Sequence, residues 1–165
     1  MRLTATKDAR EVLEAVTEGL FAEVLLPVDP VRIAKELGIE VYTAVLDDGV
    51  SGMLLKRSNE EPEIYLNRHD HKNRQRFTCA HELGHYIKRT NEDDFDFAFV
   101  DRRDSLSSRG SDADEMYANQ FAAELLMPEK QVRAHHKTSE LTQLAWKFSV
   151  STEAMSNRLK TLRLA

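Results

Sequence analysis

The segment His81-Glu82-Leu83-Gly84-His85 restricts what this chain can become more than any other. On an α-helix the two histidines lie one turn apart on one face. Both imidazoles can then address a single ion, while Glu82 is offset enough to hold a water beside it, the pattern used by zinc peptidases. A catalytic zinc site takes three protein donors and keeps one position open, so the fold must bring a third donor to this helix from elsewhere. Gly84 costs the helix about 1 kcal/mol relative to alanine. In return it lets another backbone, or a substrate, come close. The competing reading is a purely structural pair of helix histidines.

Candidates for the third donor follow from the flanking segments. Glu115 opens the next long helical pattern, and Asn119 lies one turn later on the same face, placed to hydrogen-bond a ligand. On the residues alone, Glu115 reads equally well as a solvated first-turn carboxylate favoured by the helix dipole. Asp112 and Asp114 are alternatives within an acidic run. His69 and His71 sit in a charged stretch, and the adjacent His135 and His136 diverge on a helix, so both pairs read as surface residues. Cys79 precedes His81 by two positions, turns away from the histidine face and reads as a buried core thiol.

The surrounding pattern predicts an α+β fold, mostly helical, with a small antiparallel sheet of about three strands and a C-terminal helical appendage. Leu13, Val16, Leu20, Phe21 and Val24 predict a first helix ending near Leu26-Pro27. Asp29-Pro30 is an N-cap with a first-turn proline, opening a short helix that Gly38 can terminate. Ile39 to Val45 alternates as a strand, and the runs Ser51 to Lys56 and Glu63 to Asn67 read as a hairpin. A helix begins near Asn73. The acidic, serine-rich stretch Asn91 to Asp114, with Phe95, Phe97, Phe99 and Val100 interleaved, reads as a loop. Helix resumes from Glu115 to Met127-Pro128, and Leu141 to Leu162 reads as two short helices joined by a tight turn. This divides the chain into a unit 1–136 and a helix-turn-helix-like appendage 137–165.

Bulk properties narrow the function classes. A chain of 165 residues, 41% hydrophobic and 31% charged, suits one compact domain. The net charge of -5 supplies no general attraction for nucleic acid. One cysteine permits no intrachain disulfide. No apolar run reaches membrane-spanning length, and Met1 to Asp8 lacks a signal-peptide segment, so a cytoplasmic protein without a membrane partner is expected.

Taken together, Arg76-Phe77-Thr78-Cys79-Ala80-His81-Glu82-Leu83-Gly84-His85 and the run from Glu115 through Ala118-Asn119-Gln120-Phe121 to Met127-Pro128 resemble the ImmA/IrrE family of metallopeptidases. Pro27-Val28-Asp29-Pro30, Leu37-Gly38-Ile39, Ser51-Gly52-Met53 and Leu66-Asn67 are also similar to that family, so the resemblance spans roughly residues 25 to 160. It implies a zincin-like fold, with a gluzincin-like helix pair beside the sheet. His81, His85 and Glu115 are then the ligands of one Zn2+, or of Mn2+ or another divalent ion, and Glu82 is the catalytic base. It also implies narrow endoproteolysis of a regulatory protein, often a helix-turn-helix repressor of mobile-element or stress-response genes. Many relatives carry a further histidine a few residues past the second ligand, where this chain has Tyr86-Ile87-Lys88-Arg89; no metal ligand is lost by the difference.

Three secondary readings accompany this one. Glu63 to Asn67 is the nearest strand in sequence for a substrate to pair with. Tyr86, Tyr117 or the 91–114 stretch could stabilise an oxyanion. The rival function is a metal-bound regulator without proteolysis that binds DNA or a partner through Leu141 to Leu164, with Lys147, Arg158, Lys160 and Arg163 as the candidate contacts. Four cations on an acidic protein are a weak electrostatic footprint, which favours partner docking over direct DNA binding.

Overall fold

The computed structural model of the chain describes residues 2–17, 24–102 and 112–165. Helix α1 (Arg2–Thr17) is followed by α2 (Pro30–Glu36), three strands β1 (Glu40–Ala44), β2 (Val50–Lys56) and β3 (Glu63–Asn67), and the long helix α3 (Lys72–Asn91). Strand β4 (Phe97–Arg102), α4 (Asp112–Leu126), α5 (Glu129–His135), α6 (Leu141–Phe148) and α7 (Thr152–Thr161) complete an α+β fold.

Local chemistry explains most boundaries. The Asp29 carboxylate accepts from the Val31 and Arg32 amides, at 3.0 and 3.3 Å, ahead of Pro30. Gly38 leaves α2 at φ +77°, a conformation that disfavours any Cβ. The first helix differs from expectation. Its described part begins at Arg2 and buries Ala5, Ala9, Val12 and Leu13, which recur at helical spacing against α4. Val24 is not helical, so α1 does not extend to Pro27; Leu20 and Phe21 lie outside the described residues.

The sheet is mixed and four-stranded, in the order β1-β3-β2-β4. β2 and β3 form the expected antiparallel hairpin, but β3 inserts between β2 and β1 and runs parallel to β1. The fourth strand comes from the stretch read as a loop: Phe97 to Arg102 pairs antiparallel with β2, setting Phe99 opposite Leu54. Because β3 is paired on both sides, the edge strands are β1 and β4. The expected substrate edge at Glu63 to Asn67 is therefore corrected.

Helix α3 lies across one face of the sheet and touches β2 at Gly52, where an added Cβ would fall 2.4 Å from Thr78 Cγ2. Helix α4 also packs along α3. The two helices approach closely at Gly84, where a Cβ would meet Ala118 Cα at 2.9 Å and Phe121 Cβ at 3.1 Å. Gly84 thus admits a neighbouring backbone, which brings the start of α4 within reach of the histidines.

The C-terminal helices join the same core, with Leu144, Ala145, Phe148, Val150 and Met155 buried in a cluster that includes Leu83 and Phe121. Two arginines fasten them. Arg76 on α3 donates to the carbonyls of Val28 (2.6 Å) and Ser149 (3.1 Å), tying the start of α2 to the α6–α7 turn. Arg158 on α7 is 7% exposed, donates to the Met127 carbonyl at 3.0 Å and pairs with the buried Glu124 of α4. No helix among the described residues is long and apolar enough to cross a membrane.

Candidate metal centre

The face of α3 that carries His81 and His85 looks towards the first turns of α4, and three side chains converge there. His81 Nε2 and His85 Nε2 are 3.1 Å apart. Glu115 brings one carboxylate oxygen to 3.3 Å from His81 Nε2 and the other to 3.2 Å from His85 Nε2. Among the described residues this is the one group of histidine, cysteine or acidic side chains whose donor atoms gather as a metal site requires. Two ligand atoms at tetrahedral zinc distances are separated by about 3.3 Å. The observed separations match that edge length, so the residues present fit a divalent ion held by two imidazoles and one carboxylate.

Burial and charge prepare these donors. His81 is 4% and His85 2% exposed. Desolvation lowers the pKa of His85, outweighing its hydrogen bond to Glu115, and keeps the ring neutral at neutral pH. Hydrogen bonds from His81 and then His85 hold the Glu115 carboxyl well below the usual carboxylate range, overcoming the opposing effect of burial. A neutral imidazole at His85 beside an ionised Glu115 carboxylate suits the binding of a cation.

The surrounding residues orient the set. Asn119 Oδ1 lies 2.9 Å from His81 Nδ1, so the remaining ring nitrogen faces Glu115 and His85. Asp114 is not turned to the centre: its carboxylate takes Lys88 Nζ at 2.9 Å and Arg89 Nη2 at 2.7 Å, lashing the start of α4 to the end of α3. Asp112 begins α4. Glu82, between the two histidines, is completely buried.

Other candidates are placed elsewhere. His69 and His71 are exposed, and His71 Nδ1 accepts from the Asn73 amide at 3.2 Å as the N-cap of α3. His136 Nδ1 contacts the Arg133 carbonyl at 2.9 Å. Cys79 is a buried free thiol whose pKa is pushed up by desolvation. The Tyr117 hydroxyl donates to Asp8 on α1, while Tyr86 is partly buried with its ring 6.3 Å from that of Phe97.

Sequence reasoning missed Phe99, whose ring stacks on His85 at 4.1 Å between centroids and 10° between planes. The alternation of Phe95, Phe97 and Phe99 was the available signal, set in a stretch whose aspartates argued for a loop.

A helix bearing HExxH, crossed by a second helix bearing a glutamate, defines a metallopeptidase-like domain. Residues 34–160 match the IrrE N-terminal-like domain of the Peptidase_M78 family, and the chain belongs to that family. Among solved structures, a Mycobacterium tuberculosis transcriptional regulator is similar at a TM-score of 0.59 and 19% identity. The match covers 93% of this chain but 47% of that one, so this chain spans about half the length of its structural relative, and the likeness is one of fold. No curated protein matches the chain significantly.

Proposed function

We propose that the protein is a zinc-dependent endopeptidase in which His81, His85 and Glu115 hold the ion and Glu82 is the general base. The observation that carries this reading is the convergence of three donors, 3.1 to 3.3 Å apart, beside the glutamate of the HExxH helix. A bound divalent ion supplies a Lewis acid that polarises a carbonyl and acidifies water. Glu82 takes the proton of the attacking water on a carboxylate oxygen as the new bond to the carbonyl carbon forms. It then delivers that proton to the amide nitrogen as the peptide bond breaks. His81, fixed by Asn119, and Glu115, fixed by its place at the crossing of α3 and α4, hold the geometry for both transfers. Strand β4, an edge strand next to His85, is the rail along which an extended substrate segment pairs.

The substrate class is a helix-turn-helix repressor cleaved at one place in the cytoplasm. Membership of the family and the fold likeness to a transcriptional regulator support a regulatory role. The appendage 137–165, anchored to the unit 1–136 by Arg76 and Arg158, is assigned to partner docking. Arg158 faces Glu124 inside the protein, which leaves Lys147, Lys160 and Arg163 too few for a duplex-binding surface.

The test is the metal content of purified wild-type, His81→Ala, Glu115→Ala and Glu82→Gln proteins, followed by incubation with candidate repressors and with casein. About one zinc per chain, lost with either ligand change but kept in Glu82→Gln, supports the site. Retention of full zinc by Glu115→Ala would refute the third ligand, and general digestion of casein would refute narrow specificity.

A further inference from the structure

The two histidines of the centre are oriented by different means. His81 has its Nδ1 fixed by Asn119. His85, almost fully buried, has no hydrogen-bond partner at Nδ1 among the described residues. Its Nε2 meets Glu115 at 3.2 Å and His81 at 3.1 Å, but the opposite end of the ring lacks the bond that fixes His81, and the final torsion of a histidine is broad and roughly two-fold. The ring contacts that flank it are aromatic. Phe99 stacks on it nearly parallel at 4.1 Å, and His81 meets it edge-on at 4.7 Å and 81°.

Phe99 is itself well fixed. Its strand pairs with β2, which seats it across from the buried Leu54. The Arg89 guanidinium lies 5.3 Å from its ring centroid, and the same guanidinium binds Asp114, the residue before Glu115. α3, β4 and the first turn of α4 are thus joined around His85 by one chain of contacts: His85, Phe99, Arg89, Asp114.

We infer that Phe99 is the positioning residue for His85, replacing by ring stacking the hydrogen bond that Asn119 provides for His81. The inference rests on the metal site proposed above. It assigns β4 a role beyond completing the sheet: it carries the surface against which one ligand is set.

Cobalt(II) and zinc binding by full-length wild type, Phe99→Leu, Phe99→Tyr and His81→Ala tests this, together with NMR of the histidine ring protons in metal-free wild type. Leucine retains an apolar side chain without a stacking face, whereas tyrosine keeps the ring. Phe99→Leu should bind cobalt about tenfold or more weakly, with an altered ligand-field spectrum, and Phe99→Tyr should recover the wild-type spectrum and most of the affinity. In wild type the His85 ring protons should be shifted upfield of those of exposed His69. A folded Phe99→Leu with wild-type affinity and spectrum would overturn the inference, as would unshifted His85 protons in wild type, a result that stands even if the leucine variant does not fold. Undiminished binding by His81→Ala would instead refute the metal site itself.

Discussion

Helix α4 turns an acid inward near each end, Glu124 buried and Glu115 partly buried, and the two ends are built differently. Near its C-terminus, Glu124 accepts from Arg10 Nε at 2.9 Å, from the Glu129 amide at 3.3 Å and from Arg158, so a buried negative charge is met by two cations. Near its N-terminus, Glu115 faces two imidazoles whose Nε2 atoms also approach each other, and which burial keeps uncharged in the case of His85. The first arrangement is complete with protein atoms alone. The second brings three metal-ligating side chains to one place, where a cation can take the position of the protons they share. Buried charge with matched donors reads as architecture, and converging ligand groups read as a binding site.

The largest expected effect separates the two ends by chemistry. Glu82→Gln should lower cleavage of the cognate repressor by about 10²- to 10⁴-fold, the usual worth of a general base, while zinc content and thermal stability stay near wild type. Unimpaired cleavage by this variant would remove Glu82 from the mechanism. The converse holds at the other end. Arg158→Ala leaves Glu124 with Arg10 as its one cation among the described residues, beside the Glu129 amide, and should cost about 3–5 kcal/mol in urea unfolding, with one metal still bound per folded chain. Replacing Arg158 and Glu124 together with methionine should restore much of that loss; no restoration would mean that Arg158 acts mainly through the Met127 carbonyl.

Between the two ends, the crossing at Gly84 should couple stability to metal affinity. An alanine Cβ there has Ala118 Cα at 2.9 Å, a backbone atom that yields only if α4 moves. Gly84→Ala should therefore destabilise the fold by about 1–3 kcal/mol. It should also weaken zinc binding, because the helix forced away carries Glu115. A variant that loses stability but binds zinc with unchanged affinity would show that the ligands adjust independently of the crossing.

These contrasts also mark what could be read from the chain itself. Features governed by local chemistry were legible: the Asp29-Pro30 start and Gly38 end of α2, the β2–β3 hairpin, the helix through His81 and the small residue at Gly84. Features decided by distant partners were not. β4 follows Asp96, carries Asp101 beside its phenylalanines, and becomes a strand because β2 offers an edge. The parallel pairing of β1 with β3 depends on which side of the hairpin faces β1, which no local pattern encodes. Ala5 and Ala9 contribute little to an apolar periodicity, yet both are fully buried against the rest of the core. Arg158 looked like a surface cation because its partner, Glu124, lies 34 residues earlier in the chain.

The smallest expected effect concerns pH and distinguishes the ends by sign and window. Burial lowers the folded-state pKa of His85 from its usual 6.5, so between that folded value and 6.5 the unfolded chain binds more protons. The contribution of neutral His85 to metal-free stability is complete above about 6.5 and declines as pH falls through this window. Glu115 adds to the decline at lower pH. Its depressed pKa gives a contribution present above 4.5 and lost as pH drops further towards its folded value. Zinc should steepen the upper part of the curve, because its binding requires neutral imidazoles and each bound proton competes with it. Urea midpoints measured from pH 7.5 to 4.5, with and without zinc, should therefore converge on acidification, and His85→Ala should flatten the metal-dependent part. Curves that stay parallel, with a constant zinc-induced gain across that range, would place the bound ion away from His81 and His85.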